Sequence, residues 1–299
     1  MNTHCLPSLV DVDWLEQRLR EPGVRVVDAS WHLPTSGRHA GEEFLAGHIP
    51  GAVFLDIDRV ADAGSDLPHM LPAAEHFAEA VARMGIGNET DVIVYDTLGL
   101  FSAARAWWMF RAFGHARVAI LDGGLPAWRE RGLPLEAGPA EPARSRFDAD
   151  APDTGVWSMA DVRRNLDSGE AVVLDARPPG RFAGREPEPR PGLPSGHIPG
   201  SRNVPFDRVL DPHTGCVQPV TRLREVFAPV DERPVVCSCG TGVSACVLAF
   251  ALHRLGRDDV AVYDGSWTEW AADPDNPVET GADPLQEHET AQEKGPADR

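Results

Sequence analysis

The chain has 299 residues, of which 42% are hydrophobic, and its net charge is −18 because 46 acidic residues outnumber 28 basic ones. This length suggests two domains, and the negative charge argues against binding to nucleic acid or anionic membranes, although it leaves room for a local basic pocket. The longest apolar stretches are too short to span a bilayer and the N-terminus lacks an apolar signal core, so we expect a cytoplasmic protein.

Short β-branched runs alternate with amphipathic segments along the chain. Residues 8–11 and 158–161 read Ser-Leu-Val-Asp and Ser-Met-Ala-Asp, and both resemble capping boxes that open a helix. The runs 24–27, 92–95 and 118–121 predict short buried strands, each followed by a turn and a helix. This alternation favours an α/β fold with mainly parallel sheets flanked by helices, in which functional groups gather at the carboxyl ends of the strands.

One set of motifs occurs twice in the same order. Gly-His-Ile-Pro-Gly stands at 47–51 and again at 196–200, and an apolar run ending in Asp-Ala precedes each copy. A Ser-Ala pair that opens an apolar helical run follows each copy, and an Asp-Gly segment with a nearby tryptophan comes after it. A match of this extent predicts a tandem duplication.

The duplication sets the expected domain boundaries. We expect a first domain over residues 1–140 and a second over 156–281. Residues 141–155 between them are rich in Pro, Ala and charge, as in an exposed linker. Residues 282–299 are polar and aperiodic, which predicts a disordered tail.

The five cysteines are an odd and small number for this length, which argues against a disulfide-stapled secreted scaffold and fits a reducing compartment. Free thiols are then either packing residues or nucleophiles. Cys5 and Cys216 carry no chemical signal. Cys237 and Cys246 lie in apolar segments, and we expect both to be buried packing residues.

The segment around Cys239 is the most informative part of the sequence. A buried strand is predicted to end near Ser238 and a helix to begin near Ser244, so that Cys239 starts a tight loop between them. Gly240 and Gly242 let the backbone bend so that several amides point inward. These donors and the helix dipole favour an anion at the loop centre, and a thiol held there is expected to attack as the thiolate.

The loop Cys-Gly-Thr-Gly-Val-Ser-Ala at 239–245 resembles the active-site loop of the two-domain rhodanese-like sulfurtransferases, in particular their 3-mercaptopyruvate branch, whose usual loop is Cys-Gly-Ser-Gly-Val-Thr. The resemblance reaches to about residue 281 and includes both Gly-His-Ile-Pro-Gly motifs and the segment 181–190. Thr241 and Ser244 depart from the usual residues but keep a hydroxyl. The resemblance implies two tandem rhodanese-like domains, of which only the second is catalytic.

The first copy agrees with this implication because it has no thiol in the corresponding loop. Matching Ser102 with Ser244 puts Thr97 opposite Cys239, and larger side chains such as Leu98 replace the small loop residues. The first copy is therefore expected to be a scaffold that closes one side of the site.

Two other uses of the cysteines are disfavoured. Phosphatases of this fold carry an arginine six residues after the cysteine to clamp the phosphoryl oxygens, whereas this chain has Ala245 there. Zinc ligation by Cys237, Cys239, Cys246 and His253 would need spacings unlike the usual structural pairs. We therefore expect no metal and no organic cofactor.

Two sulfur donors stay open, thiosulfate and 3-mercaptopyruvate. Rhodaneses proper place Arg-Lys directly after the cysteine, whereas the neutral Gly240 and Thr241 here favour a thiol-bearing oxo acid over a compact dianion. Arg181 and Arg190 match family positions and are expected to bind its carboxylate and keto oxygen through their forked donors. The other expected substrate-binding residues are those of the loop: Gly240, Gly242, Val243 and Ser244.

Residues of the first copy are also implicated by the resemblance. Asp58 and His69 match family positions that face the catalytic loop, and with Thr241 they are expected to form a hydroxyl–imidazole–carboxylate relay. The alternative is a role for Asp58 and His69 in turns or caps. A further set occurs in both copies, only one of which has the cysteine, so a structural role is expected for His48, His197, Asp28 and Asp175.

Together the residues and the resemblance predict a sulfurtransferase. It would take sulfur from 3-mercaptopyruvate as a Cys239 persulfide, release pyruvate, and pass the sulfur to a thiol, such as a thioredoxin-like protein or a small thiol, or to cyanide. The alternatives are a thiosulfate sulfurtransferase and a non-catalytic sulfur carrier.

Overall fold

The computed structural model describes residues 6–152 and 155–283, and each copy of the repeat forms an α/β domain around one parallel sheet. The first domain comprises β1 (Leu9–Val10), α1 (Val12–Arg18), β2 (Val24–Asp28), α2 (Ala40–Ala46), β3 (Val53–Phe54), α3 (Ala74–Arg83), β4 (Asp91–Tyr95), α4 (Ser102–Ala112), β5 (Val118–Leu121) and α5 (Gly124–Glu130). The second comprises β6 (Val156–Trp157), α6 (Met159–Ser168), β7 (Val172–Asp175), α7 (Pro179–Phe182), β8 (Arg202–Asn203), α8 (Val220–Phe227), β9 (Val235–Ser238), α9 (Ala245–Arg254), β10 (Val260–Tyr263) and α10 (Ser266–Ala272).

The two sheets have the same topology. The strand orders are β1-β5-β4-β2-β3 and β6-β10-β9-β7-β8, and every strand pair in both sheets is parallel. The three predicted strands of the first copy match β2, β4 and β5 to within one residue. The prediction of two tandem α/β domains with parallel sheets is therefore confirmed.

The two predicted capping boxes have different outcomes. The Ser158 side chain accepts from the amide of Asp161, and the Asp161 carboxylate accepts from the amide of Ser158, so the second box is confirmed. The first is wrong, because the two residues after Ser8 form β1 and pair with β5. Asp11 caps α1 instead, accepting a 2.7 Å hydrogen bond from the amide of Trp14.

The domains pack through α4 and α9. Residues 102–110 of α4 are all buried, and the Trp107 ring lies 5.0 Å from that of Phe250 on α9. In each domain, the aspartate that follows the last strand also accepts a hydrogen bond from a backbone amide of the other domain. Asp264 accepts from Leu71 at 2.7 Å and Asp122 accepts from Val217 at 2.8 Å. These contacts hold the first domain beside the loop that precedes α9.

The motif histidines have the structural setting expected of them. The His48 ring stacks on Phe44 with 3.9 Å between centroids, and the His197 ring stacks on Phe182 with 3.7 Å. In each case Nδ1 contacts the carbonyl of that phenylalanine, at 2.7 Å and 2.9 Å respectively. The carboxylates of Asp28 and Asp175 accept from loop amides two residues further on. All four residues thus fix loops around the strands.

The described part of the linker, residues 141–152, is mostly exposed but contacts the first domain at several points. Phe147 is buried, with its ring 5.9 Å from Phe77, and the amide of Ser145 donates to Ala82 on the first domain at 2.9 Å. At the other boundary Asp283 accepts from the amide of Asn203 at 2.8 Å, so contacts with the second domain continue past residue 281. The rest of the expected tail, 284–299, lies outside the described residues. Within the described ranges, none of the helices is long and apolar enough to cross a membrane.

Candidate active site

Cys239 directly follows β9 and lines a cavity of about 450 Å³ between the two domains. Thr241, Val243 and Ser244 of the same loop line the cavity with it. Arg177, Arg181 and Arg190 line the cavity from the second domain. The first domain contributes apolar side chains, among them Trp31, Leu98 and Phe101, together with Arg38, which is paired with Glu43. Most of the predicted site residues therefore meet in one cavity.

The start of α10 holds the cysteine loop in place. The carbonyls of Cys239 and Gly240 accept from the amides of Trp267 at 2.9 Å and Thr268 at 3.0 Å. The Ser266 hydroxyl accepts from the amide of Cys239 at 3.1 Å and donates to the carbonyl of Tyr263 at 2.8 Å. The loop is therefore fixed from outside by residues that the sequence reasoning did not identify.

The other cysteines of the second domain have a different environment. Burial raises the pKa of Cys237 well above its ordinary value and raises that of Cys246 to about 12, although the charge of Arg105 opposes the second shift. The Cys246 thiol lies 3.1 Å from the carbonyl of Gly242 and donates to it. Of the four cysteines that the structure describes, Cys239 alone lines the cavity. Cys237 and Cys246 are packing residues, as expected.

The first-domain counterpart of Cys239 is Asp96 rather than Thr97. In the strand registers, Asp28 pairs with Tyr95 and Asp175 pairs with Ser238, so the residue after each partner is equivalent. Matching Ser102 with Ser244 shifts the alignment by one residue. The structural partner of Ser102 is Ala245, because α4 begins at Ser102 and α9 begins at Ala245. The two Ser-Ala pairs are therefore not structurally equivalent.

Asp96 reveals what this loop geometry binds. Its carboxylate accepts hydrogen bonds from the amides of Leu98 at 2.8 Å, Phe101 at 2.7 Å and Ala103 at 2.9 Å. The loop of the first domain thus wraps its amides around its own carboxylate. The same strand–loop–helix path in the second domain carries the cysteine at this position.

Asp58 and His69 contact each other, whereas no hydrogen bond joins His69 to Thr241 in the described part of the chain. His69 Nδ1 lies 3.0 Å from Asp58 Oδ1, and the indole of Trp31 donates to Asp58 Oδ2 at 3.0 Å. The His69 imidazole holds the pKa of the Asp58 carboxyl below its usual range, with smaller contributions from Trp31 and Arg190. His69 Nε2 is buried and has no hydrogen-bond partner among the described residues. The Trp31 ring also packs edge-on against the His69 ring at 4.8 Å, which links the pair to the cavity wall.

Arg105 joins the His69 segment to the catalytic loop. Its fully buried guanidinium lies 2.7 Å from Asp264 Oδ1 and donates to the carbonyl of His69 and, at 3.4 Å, to that of Gly242. The guanidinium also stacks on Trp108, 4.5 Å from the ring centroid. Because Asp264 also holds the amide of Leu71, this ion pair fixes both sides of the domain cleft.

Arg105→Met is expected to lower the free energy of unfolding by about 3–5 kcal/mol, because it leaves the buried Asp264 carboxylate without its partner. Urea unfolding measures this loss. Arg111→Met on the same helix is the matched control, since Arg111 is exposed and contacts Trp107 only by stacking at 5.2 Å. Equal losses for the two variants would contradict the proposed importance of the ion pair.

The arginines of the cavity differ in their pairing. Arg181 forms an ion pair with Glu188, with Nε 3.2 Å from Oε1. Arg190 is half-buried, and no carboxylate in residues 6–152 or 155–283 lies within salt-bridge distance of it. Burial, and then the neighbouring charge of Arg181, lower the pKa of Arg190. Arg190 is thus the cavity guanidinium best placed to bind an anion, while Arg181 is already partly neutralised.

One residue that was predicted to bind substrate does not line the cavity, and three residues at or near the site were not predicted. Gly242 does not line the cavity: a Cβ there would lie 2.8 Å from the carbonyl oxygen of Asp264, and its φ is +75°. Its role is to let the loop approach the neighbouring strand end. Sequence reasoning missed Trp31, for which the sequence holds no signal. Asp264 and Glu188 did lie in motifs that were recognised, but their partners were not evident.

The comparisons with known proteins agree with this geometry. The rhodanese-like domain family matches residues 11–131 and again 158–273. The chain is 45% identical over 285 residues to 3-mercaptopyruvate sulfurtransferase of Homo sapiens, covering 92% of this chain and 96% of that protein. It is 44% identical over 296 residues to thiosulfate/3-mercaptopyruvate sulfurtransferase 1, mitochondrial, of Arabidopsis thaliana, covering 91% of this chain and 78% of that protein.

The chain is also similar to a solved structure. The crystal structure of SseA from Escherichia coli, described as a 3-mercaptopyruvate sulfotransferase, has a TM-score of 0.80 and 39% identity, covering 87% of this chain and 98% of that one. The fold has two copies of one parallel α/β domain, and a cysteine at a strand end lines the cavity between them. The chain belongs to the rhodanese-like sulfurtransferases.

Proposed function

We propose that this sulfurtransferase takes sulfur from 3-mercaptopyruvate and passes it through a persulfide on Cys239 to an acceptor thiol or to cyanide. The Cys239 thiolate attacks the donor sulfur, the carbon–sulfur bond breaks, and its electron pair stays on the carbon fragment as the enolate of pyruvate. A proton then converts the enolate to pyruvate. In the second half-reaction an acceptor thiolate, of a thioredoxin-like protein or a small thiol, attacks the outer sulfur and regenerates Cys239.

The observation that carries this proposal is that one cavity thiol shares the cavity with a guanidinium that forms no salt bridge within residues 6–152 and 155–283. Cys239 and Arg190 line the same cavity. An oxo acid can place its carboxylate at Arg190 while its sulfur meets Cys239. Arg181 and the loop residues Gly240, Val243 and Ser244 would position the donor, with Gly242 shaping the loop.

Thr241, His69 and Asp58 would supply the proton for the enolate. Thr241 lies two residues beyond the nucleophile and lines the cavity. A threonine hydroxyl is a weak acid by itself, so His69, held by Asp58 at 3.0 Å, would assist the transfer.

Two other functions would use the same residues. The Arabidopsis relative is named for both thiosulfate and 3-mercaptopyruvate, which keeps thiosulfate as the alternative donor. A non-catalytic sulfur carrier would accept one sulfur and hold it. Rapid multiple turnover of 3-mercaptopyruvate with dithiothreitol as acceptor distinguishes an enzyme from a carrier.

The wild-type protein is expected to have a higher kcat/KM for 3-mercaptopyruvate than for thiosulfate. Replacing Gly240-Thr241 by Arg-Lys is expected to shift this preference toward thiosulfate, because it adds two positive charges beside the thiolate. A Cβ at residue 240 would lie 3.3 Å from Arg181 Nη2, so the new arginine would enter an already cationic wall. Steady-state kinetics with both donors on one preparation measures the shift. A wild type that prefers thiosulfate would refute the choice of donor but not the family.

A further inference from the structure

Glu188 is a buried carboxylate that contacts two arginines beside the cavity. Its side chain is only 3% exposed. It lies 2.8 Å from Arg177 Nη1 and also holds Arg181 through both Nε and Nη2. None of the steps proposed above uses Glu188. Burial of a carboxylate costs free energy unless it is paired, so this residue needs its two partners.

Of these two arginines, only Arg181 depends on Glu188 to neutralise its positive charge. Arg177 is already bound by the buried Asp175, with Nε 3.0 Å from both carboxylate oxygens and Nη2 2.6 Å from Oδ2. The charge of Glu188 therefore offsets that of Arg181. On the second-domain side of the cavity, Arg177, Arg181 and Arg190 are balanced by two carboxylates, those of Asp175 and Glu188. Among the residues that the structure describes, this leaves one positive charge without a salt bridge, on Arg190.

The charge of Arg181 lies close enough to the cavity to act on a sulfur donor bound there. Arg181 lines the cavity with Cys239, and its Nη2 lies beside Gly240 of the cysteine loop. Each added positive charge on this wall attracts a dianion about twice as strongly as a monoanion at the same distance. Thiosulfate is a dianion, whereas 3-mercaptopyruvate with a protonated thiol is a monoanion.

We propose that Glu188 is a specificity-determining residue, which holds the donor wall at one net positive charge and thereby favours monoanionic over dianionic sulfur donors. This inference rests on the proposed function, since it concerns the choice of donor at the Cys239 site. Glu188 acts through Arg181 and does not itself line the cavity. A donor with one negative charge is attracted by Arg190. In the part of the chain that the structure describes, this wall has no second positive charge without a salt bridge that would also bind dianions such as sulfite or phosphate.

Glu188→Gln tests the proposal because it removes the charge while keeping the shape of the side chain and one acceptor oxygen, which can still accept from Arg177 and Arg181. The second carboxylate oxygen becomes an amide donor. The measured quantity is the ratio of kcat/KM for thiosulfate to kcat/KM for 3-mercaptopyruvate. We expect this ratio to rise on the order of tenfold, mainly through a lower KM for thiosulfate. Glu188→Asp keeps the charge and is expected to leave the ratio within about twofold of the wild-type value, whatever its effect on overall rate.

Glu186→Gln is the matched control, since it makes the same charge change in the same segment at an exposed position. The double variant Arg181→Gln/Glu188→Gln removes one charge of each sign, so its ratio is expected to return toward that of the wild type. It also serves if Glu188→Gln alone folds poorly. An unchanged ratio in folded Glu188→Gln, or an equal rise in Glu186→Gln, would overturn the proposal. Failure of the wild type to turn over either donor would refute the proposed function instead.

Discussion

Cys239→Ser is expected to abolish sulfur transfer from 3-mercaptopyruvate, because a serine hydroxyl at this position cannot form the persulfide that links the two half-reactions. The structure supports this expectation through placement, since Cys239 lies at the strand end, lines the cavity and is held by Ser266 and the start of α10. The measurement is multiple turnover with an excess of acceptor thiol. Intact-mass analysis of the donor-treated wild type should show one added sulfur atom, which peptide mapping places on Cys239.

The two neighbouring cysteines are the controls for this experiment. Cys237→Ser and Cys246→Ser are expected to keep most of the turnover, because burial raises the pKa of both thiols and neither lines the cavity. Serine at residue 246 can also donate to the carbonyl of Gly242, as the thiol does. A persulfide found on Cys237 would contradict the assignment of the nucleophile.

Thr241→Val, His69→Asn and Asp58→Ala are each expected to lower kcat for 3-mercaptopyruvate by about 10²–10⁴-fold, the usual contribution of general acid–base catalysis. The physical reason is the enolate, which must gain a proton after the carbon–sulfur bond breaks. Asparagine is chosen at residue 69 because the His69 backbone is left-handed, with φ 63°, and asparagine tolerates that conformation. Steady-state kinetics with both donors measures the effect.

Thiosulfate supplies the control for the relay within each variant. Sulfite leaves as a stable anion and needs no proton, so transfer from thiosulfate is expected to change much less. The Thr241→Val/His69→Asn double variant is expected to lose little more than either single variant, because residues that act as one unit are not additive. Equal losses with both donors would indicate that these residues only hold the cleft together, and strictly additive losses would exclude a relay.

The sequence predicted the elements that local patterns control. β2, β4 and β5 appear where β-branched runs predict them, and β9 ends at the expected Ser238. Continuous apolar runs mark these strands because each must bury both faces in a parallel sheet. The capping box at Ser158 is equally local, whereas the one at Ser8 was lost to a pairing with β5, more than a hundred residues away.

Features of the site were likewise predictable where they depend on local sequence and not where they depend on tertiary contacts. The strand–glycine loop–helix pattern around Cys239 was readable because all of its parts lie in one continuous stretch, from Val235 to Arg254. The assignment of Thr97 as its counterpart was wrong by one residue, since only the strand register shows that Asp96 is equivalent and that its carboxylate fills the first loop. The pairing of Arg181 with Glu188 was likewise hidden, although both residues lie in a motif that the sequence did identify.

By itself, the sequence determined the tandem α/β fold, the position of the loop cysteine and the class of chemistry, because apolar runs, glycine placement and a repeated motif act over short stretches of chain. The tertiary structure decided which charges remain unpaired in the cavity and how the first domain reaches the catalytic loop. Arg105 on α4, Asp264 after β10 and the His69 segment meet only when the two sheets pack through α4 and α9. Ion pairing and burial depend on distances in space, so contacts between residues remote in sequence leave no local pattern from which they could be predicted.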